Sequence, residues 1–371
     1  MRKFLSFMIA SLMTVVALTG CASGKGNSAS GSGDKIKIVT TIFPEYDWTR
    51  EILGDKISNA DMTLLLDNGV DLHNYTPTFS DMAKISECDL FIYVGGESDE
   101  WVDDVLKTSE NKDMIVINLL EALGDSVKEE EIVEGMEHEH EHEEGEEHDH
   151  EDGDEEHEDG EEHDHEDGDE DHEDGEEHEH EEGEEHDHEH EEHESDEHVW
   201  LSLKNASVLC DEIANALETI DPENKDTYAA NAEAYKAKLS DLDAQYKDAV
   251  DTASCKTLLF GDRFPFRYMV DDYGLDYYAA FAGCSTEVEA SFNTVIFLAE
   301  KADELNLKSV MTIEGTEHKI AETVRDNTEA KDQQILTLDS MQTTTSADIA
   351  AGKTYLSIMT SNLEVLKEAL K

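Results

Sequence analysis

Histidine is the residue type whose placement first suggests chemistry in this chain. Fifteen of its eighteen histidines lie between Glu137 and Glu194, where every residue is Glu, Asp, His or Gly. Glycines at 145, 153, 160, 168, 175 and 183 are spaced alternately eight and seven apart, so the segment repeats every fifteen residues, as in GEEHDHEDGDEEHED. The HDH and HEH triplets place donors at His138, His140, His142, His148, His150, His163, His165, His178, His180, His186, His188 and His190. Mixed imidazole and carboxylate donors suit zinc, nickel and copper better than calcium or magnesium. The dense negative charge gathers divalent cations before any specific coordination. Each imidazole must be neutral to bind, so protons compete with metal. An acidic linker would need only Glu and Asp; the repeated histidines argue for metal. With no apolar groups to bury, the tract is expected to be disordered without metal.

Three histidines lie elsewhere. His73 sits in DNGVDLHNYTPTFSDM, His198 in SDEHVWLSLKNA, and His318 follows an apolar run ending at Ile313. His73 and His198 fall at the ends of strand-to-helix connections, where open α/β sheets bind ligands, and neutral imidazole is the commonest zinc ligand near pH 7. Beyond Cys21 there are four cysteines, Cys88, Cys210, Cys255 and Cys284, in no zinc-knuckle spacing. No HExxH, nucleophile elbow or Gly-rich phosphate loop occurs, which argues against an enzyme.

Several elements must position these residues. At the start, Arg2 and Lys3 precede an apolar run from Phe4 to Leu18, the pattern of a signal peptide. Leu18-Thr19-Gly20-Cys21 looks like a bacterial lipobox, in which the cysteine thiol is lipid-modified and becomes the new N-terminus. Residues 22–33 are nearly all Ser, Gly, Ala and Asn, a flexible tether composition. The extracytoplasmic location that this implies permits a disulfide. The formal net charge is −66, and the chain stays acidic outside the tract, so nucleic acid is excluded as a partner.

The body of the chain reads as strands alternating with helices. Apolar, β-branched runs at Ile36–Phe43, Met62–Leu66, Leu90–Val94 and Met114–Asn118 are strand signals, with helical spacing over Tyr46–Leu53, Ser80–Cys88 and Trp101–Leu106. After the tract come helices over Ser202–Ile220 and from Asp221 to about Val250. A second alternating series follows: strands at Thr257–Phe260, Tyr277–Phe281, Ser309–Ile313 and Gln334–Leu338, helices at Val288–Leu305, His318–Asp326 and Thr354–Leu370. This predicts an α/β protein of two lobes, each a mainly parallel sheet flanked by helices, joined by one long helix. The expected division is signal peptide 1–20, tether 21–33, N-terminal lobe 34–221 with a disordered insertion over 137–197, interdomain helix 222–252, and C-terminal lobe 253–371. The aromatic cluster of Phe264, Phe266, Tyr268, Tyr277, Tyr278 and Phe281 reads as core and cleft wall.

Taken together, TIFPEYDWTREILGD, NGVDLHNYTPTFSDMAKISECDLFIYVGGESDEW, DEHVWLSLKNASVLCDEIANAL and DPENKDTYAANAEAYKAKLSDLD resemble the zinc- and manganese-binding solute-binding lipoproteins of bacterial metal ABC importers. The resemblance runs from Ile36 to Lys371, apart from the tract. It implies that His73 and His198 are the first two metal ligands. It also implies a partner permease and ATPase, a lipid bilayer reached through acylated Cys21, a monomer, and small lobe tilts about one long helix rather than wide hinge closure. The cargo it implies is Zn2+, with Mn2+ as the alternative. The histidine-heavy tract favours zinc, because manganese sites rely more on oxygen donors.

The family's third ligand lies in a segment like H-x-A-F-x-Y. Aligning Phe266 and Tyr268 puts Arg263 in that place, and a guanidinium cannot coordinate a cation. The fourth ligand falls on Asp339 in LTLDSMQ. His318 stands in reserve for the vacancy, alongside Asp262, water or a histidine of the tract. Glu314 is a further candidate for that place, although the resemblance gives it a structural role, and Glu289 matches another acidic position of the family and reads as structural. A pairing of Arg263 with Asp262 or Asp339 would hold the cleft shut without metal. The competing functional expectation is a cell-surface metal store or sensor without a transporter.

Overall fold

Four short apolar runs build the first sheet. They are β1 (Ile36–Thr40), β2 (Ala60–Leu64), β3 (Leu90–Tyr93) and β4 (Ile115–Asn118), in the order β2-β1-β3-β4 and all parallel. Every residue of β3 is buried, as expected of a parallel strand covered on both faces. The connecting helices are α1 (Phe43–Leu53), α2 (Phe79–Glu87), α3 (Trp101–Thr108) and α4 (Leu119–Leu123). The computed structural model describes residues 35–136, 194–285, 289–315 and 318–371. The expected signal peptide, Cys21, the tether and the twelve named tract histidines lie outside those residues. Residues 36–371 form one compact unit.

Two long helices follow, α5 (Leu203–Ile220) and α6 (Lys225–Thr252). The buried stripe of α6 is Tyr228, Ala232, Tyr235, Leu239, Leu242, Tyr246 and Val250, one residue per helical turn. The second sheet contains β5 (Thr257–Phe264), β6 (Asp276–Ala282), β7 (Ser309–Ile313) and β8 (Gln334–Leu338), again all parallel, in the order β6-β5-β7-β8. Its helices are α7 (Arg267–Tyr273), α8 (Phe292–Glu304), α9 (Lys319–Asn327), α10 (Ser346–Ala350) and α11 (Tyr355–Ala369). The architecture is the expected pair of parallel α/β lobes with one long helix between their sheets.

Buried hydrogen bonds tie the lobes. The Trp200 indole donates to the Ser340 carbonyl at 2.8 Å, the Tyr355 hydroxyl to the Trp200 carbonyl at 2.7 Å, and the Tyr355 amide to Asp47 at 2.8 Å. Such satisfied polar groups fix one packing of the lobes, because breaking any of them strands a buried partner.

Several boundaries differ from the sequence expectation, among them β2, which spans Ala60–Leu64 rather than Met62–Leu66, and α8, which begins at Phe292 rather than Val288. Helix α1 begins at Phe43, because proline is tolerated in a first helical turn, where no amide hydrogen is needed. Strand β5 runs on past Phe260 to Phe264, with a register irregularity between Phe260 and Arg263, and so carries Arg263 at the sheet's C-terminal end. The insertion expected to be disordered to residue 197 is ordered from Glu194 onward. Glu129 and Ser195 form an antiparallel bridge, flanked by Glu130 N–H to Glu194 carbonyl at 2.8 Å and Asp196 N–H to Lys128 carbonyl at 2.9 Å. Asp196 and Glu197 are buried.

Candidate metal centre

Both sheets turn their carboxyl-terminal ends to one place, the position where open parallel sheets gather ligands. Asp71 and His73 follow β2, and Ser98 follows β3; from the other lobe come Arg263 of β5, Cys284 after β6 and Gln342 after β8. His198 arrives between the paired stem at Ser195 and helix α5, whose N-cap is Ser202.

Within this convergence His73 Nε2 and His198 Nε2 lie 3.2 Å apart. Each ring's other nitrogen faces an acceptor. His198 Nδ1 is 3.0 Å from Asp196 Oδ1, which also accepts the His198 amide at 2.8 Å. His73 Nδ1 is 2.9 Å from Ser98 Oγ and 3.4 Å from Glu197 Oε2. The Asp196 carboxylate only accepts, so it fixes hydrogen on His198 Nδ1 and leaves the His198 Nε2 lone pair facing His73 Nε2. Two facing lone pairs repel unless a proton, a donor or a cation lies between them. The Gln342 amide nitrogen, 3.0 Å from His198 Nε2, supplies one donor.

Burial, reinforced by the neighbouring His198 and the Arg263 charge, outweighs Asp71 and pushes the His73 imidazole down to about 3. The ring is therefore neutral at pH 7 and ready to ligate. Glu197 is held by the Ser98 amide at 2.9 Å through Oε1, while its buried Oε2 has no hydrogen-bond donor of its own.

The third group at the centre is Cys284. One ligand atom each from His73, His198 and Cys284 falls within 4.8 Å of the others, and among the described residues this is the single such trio of His, Cys, Asp or Glu. Glu130 accepts the Cys284 amide at 3.0 Å, and the Tyr268 hydroxyl joins the Lys128 amide, at 3.0 Å, to the Asp196 carbonyl, at 2.7 Å. The segments on either side of the tract are thus built into the wall of the centre. Burial raises the Cys284 thiol well above its ordinary value, helped by Asp196, Glu130 and Glu197. Gly283 lies against the His198 ring: a Cβ there would come within 3.0 Å of His198 Cε1 and 2.8 Å of the Phe264 carbonyl oxygen.

The sequence-selected residues divide here. His73 and His198 meet, but Asp339 and His318 do not join them. Asp339 is half-buried and accepts the Met341 amide at 2.9 Å, with Lys353 at 3.9 Å. It shapes the turn after β8, as an aspartate at a strand end commonly does. His318 Nδ1 bonds Thr312 Oγ1 at 3.0 Å, and the residue lines an adjoining cleft with Asp262, Glu289 and Glu314. Asp262 is occupied by Thr312 and by the amides of Arg263 and Ile313. Glu314 accepts from Ser340 and from the Gln342 amide, which fixes the loop that presents Gln342.

Arg263 pairs with neither acid proposed for it from the sequence. Its Nη2 lies 2.7 Å from Asp71 Oδ2 and its Nη1 donates to the Ser285 carbonyl at 3.2 Å. Asp71, Ser98, Asp196, Glu197, Cys284 and Gln342 are the functional neighbours that sequence reasoning passed over. The four described cysteines are free thiols, so no disulfide forms among them.

Comparison with known proteins places this geometry in context. Residues 38–369 match the family described as zinc-uptake complex component A, periplasmic. The chain is 31% identical over 364 residues to the high-affinity zinc uptake system protein ZnuA of Bacillus subtilis, covering 98% of this chain and 96% of that protein. It is 30% identical over 366 residues to the zinc-binding lipoprotein AdcA of Streptococcus pneumoniae, spanning 99% of this chain but 61% of that longer relative. Among solved structures, zinc(II)-bound AdcA of S. pneumoniae superposes with a TM-score of 0.63 at 26% identity, covering 91% of this chain and 58% of that one. The metal-dependent lipoprotein YcdH of B. subtilis superposes with a TM-score of 0.64 at 25% identity, over 91% and 99% of the two chains.

Proposed function

The chain belongs to the family of periplasmic zinc-uptake component A proteins, solute-binding components rather than enzymes, and from that membership we propose that it captures a zinc ion between its lobes and delivers it to an ABC importer. The observation that carries this reading is the pair of buried imidazoles whose Nε2 atoms face each other at 3.2 Å. Neutral, oriented imidazoles backed by carboxylates are a zinc centre's usual equipment. Nitrogen donors favour zinc over manganese.

The rest of the chain serves delivery. Residues 1–20 direct export, acylated Cys21 anchors the protein at the outer face of the cell membrane, and residues 21–33 tether the binding body. The body divides into lobes over 34–221 and 253–371 about the helix at 222–252, and works as a monomer beside the permease and ATPase. The tract over 137–193 collects ions and raises their local concentration beside the centre. The fixed stem at Glu129 and Ser195 supports that role, because it brings both ends of the tract to the centre.

Chelator competition on the full chain tests the capture step. The expected result is one tight zinc per chain above a weaker set of tract sites, with the tight one lost in His73→Ala and in His198→Ala and kept in Asp339→Asn. Tight binding that survives both histidine substitutions sinks the proposal. Zinc uptake into proteoliposomes holding the permease and ATPase separates delivery from surface storage.

A further inference from the structure

We infer that Cys284 is the third protein ligand of the zinc centre, so that the ion is held by two imidazoles and one thiolate. The inference rests on the proposed zinc centre and goes further, because it assigns a ligand chemistry that neither the alignment at Arg263 nor Asp339 supplies. Three observations support it independently of one another. The ligand atoms of His73, His198 and Cys284 come from separate stretches of chain and both lobes, yet lie within 4.8 Å of each other. Gly283 has no room for a side chain against His198 and the Phe264 carbonyl, so the chain at 283–284 runs tight along the imidazole and brings the cysteine beside it. The Cys284 amide is fixed by Glu130, which immediately follows the stem residue Glu129.

Charge and stoichiometry fit. Arg263, standing where an anionic or neutral ligand was expected, is held by Asp71 and the Ser285 carbonyl. The vacancy is then filled from the end of the neighbouring strand: Arg263 pairs with Phe281 in the β5–β6 register, and Cys284 follows three residues later. On binding, the S–H bond of Cys284 breaks, a Zn–S bond forms and the proton leaves to solvent. Zinc with one thiolate keeps one net positive charge, and the buried carboxyls of Asp196 and Glu197 flank it. A tetrahedral ion with three protein ligands retains a fourth position for water, the open position from which an ion can be passed on. A thiolate also discriminates: it suits zinc and disfavours manganese, which prefers oxygen.

Cobalt(II) is the probe. In the full chain the tract contains no cysteine, so a thiolate-to-cobalt charge-transfer band in the near ultraviolet can come only from the folded body or Cys21. The expected result is such a band in the unsubstituted chain, absent in Cys284→Ser and retained in Cys255→Ser. Tetrahedral cobalt absorption that depends on His73 and His198 but shows no charge-transfer band overturns the thiolate assignment alone. So does a band that survives in Cys284→Ser. Tetrahedral absorption indifferent to His73→Ala and His198→Ala overturns the zinc centre itself. Should Cys284→Ser fail to fold, alkylation of the unsubstituted chain decides: zinc must slow maleimide modification of Cys284, mapped by mass spectrometry, and equal rates with and without zinc overturn the inference.

Discussion

Arg263 Nη2 lies 2.7 Å from Asp71 Oδ2, linking the end of β5 in one lobe to the loop that carries His73 in the other. Asp71 Oδ1 in turn accepts the His73 amide at 3.1 Å. The guanidinium therefore orients the loop that carries His73, the zinc ligand proposed above. Both partners are largely buried, so removing one leaves the other without compensation. Arg263→Ala is expected to lower stability by roughly 2 kcal/mol, read as a fall in the urea midpoint with unchanged slope. Zinc affinity should fall with it, since the His73 loop loses its brace. No loss in either measurement would refute the bracing role.

Asp196 accepts both the amide and Nδ1–H of His198. Asp196→Asn keeps the shape but can offer Nδ1 an amide donor, which permits the wrong tautomer. Partners of this kind typically contribute 10–100-fold to metal affinity. Chelator competition should show a loss in about that range, with the fold intact by circular dichroism; unchanged affinity would show that the carboxylate does not set the ring.

Gly283→Ala brings a methyl group to 2.8 Å from a backbone oxygen that cannot move away cheaply and to 3.0 Å from the His198 ring. Overpacking of this sort costs about 1–3 kcal/mol. The ring is the softer neighbour, so the variant is expected to lose zinc affinity along with stability. A melting temperature equal to that of the unsubstituted chain would argue that the contact relaxes.

Asp99 gives the fold a pH signature. Burial raises its carboxyl to about 7, opposed by the Gly95 amide that it accepts at 3.0 Å and reinforced by Glu197. Between its ordinary value of 3.8 and about 7 the folded chain holds a proton that the unfolded chain has released. That contribution to stability is complete below pH 4 and is lost as pH rises toward 7, by up to about 4 kcal/mol. Asp99→Asn mimics the protonated carboxyl, so its stability measured by urea titration should decline less than that of the unsubstituted chain over this interval. Parallel curves for the two proteins would disprove the assignment.

The sheets were legible because β-branched runs such as IVIN and SVMTI announce strands, and their alternation with helical stretches dictates parallel pairing. His73 and His198 were legible because local motifs surround them. The rest of the centre was not, for a physical reason. Cys284 reaches the site only because Gly283 lets the chain pass against the His198 imidazole, 85 residues earlier in the sequence, a contact that no spacing encodes. Asp339 illustrates the converse: it occupies the matching place in the chain, yet its carboxylate accepts the Met341 amide, lies 3.9 Å from Lys353 and falls outside the trio of His73, His198 and Cys284. The pairing of Arg263 with Asp71 spans 192 residues and depends on how the two lobes face each other.

The bridge between Glu129 and Ser195 closes a junction at which chain enters and leaves at one point. Residues just inside it still belong to the body: Glu130 accepts the Cys284 amide at 3.0 Å and Met136 is buried in the core. The tract proposed above as a collector is therefore joined to the body at one place, and shortening it by whole fifteen-residue units is expected to leave zinc binding at His73 and His198 unchanged.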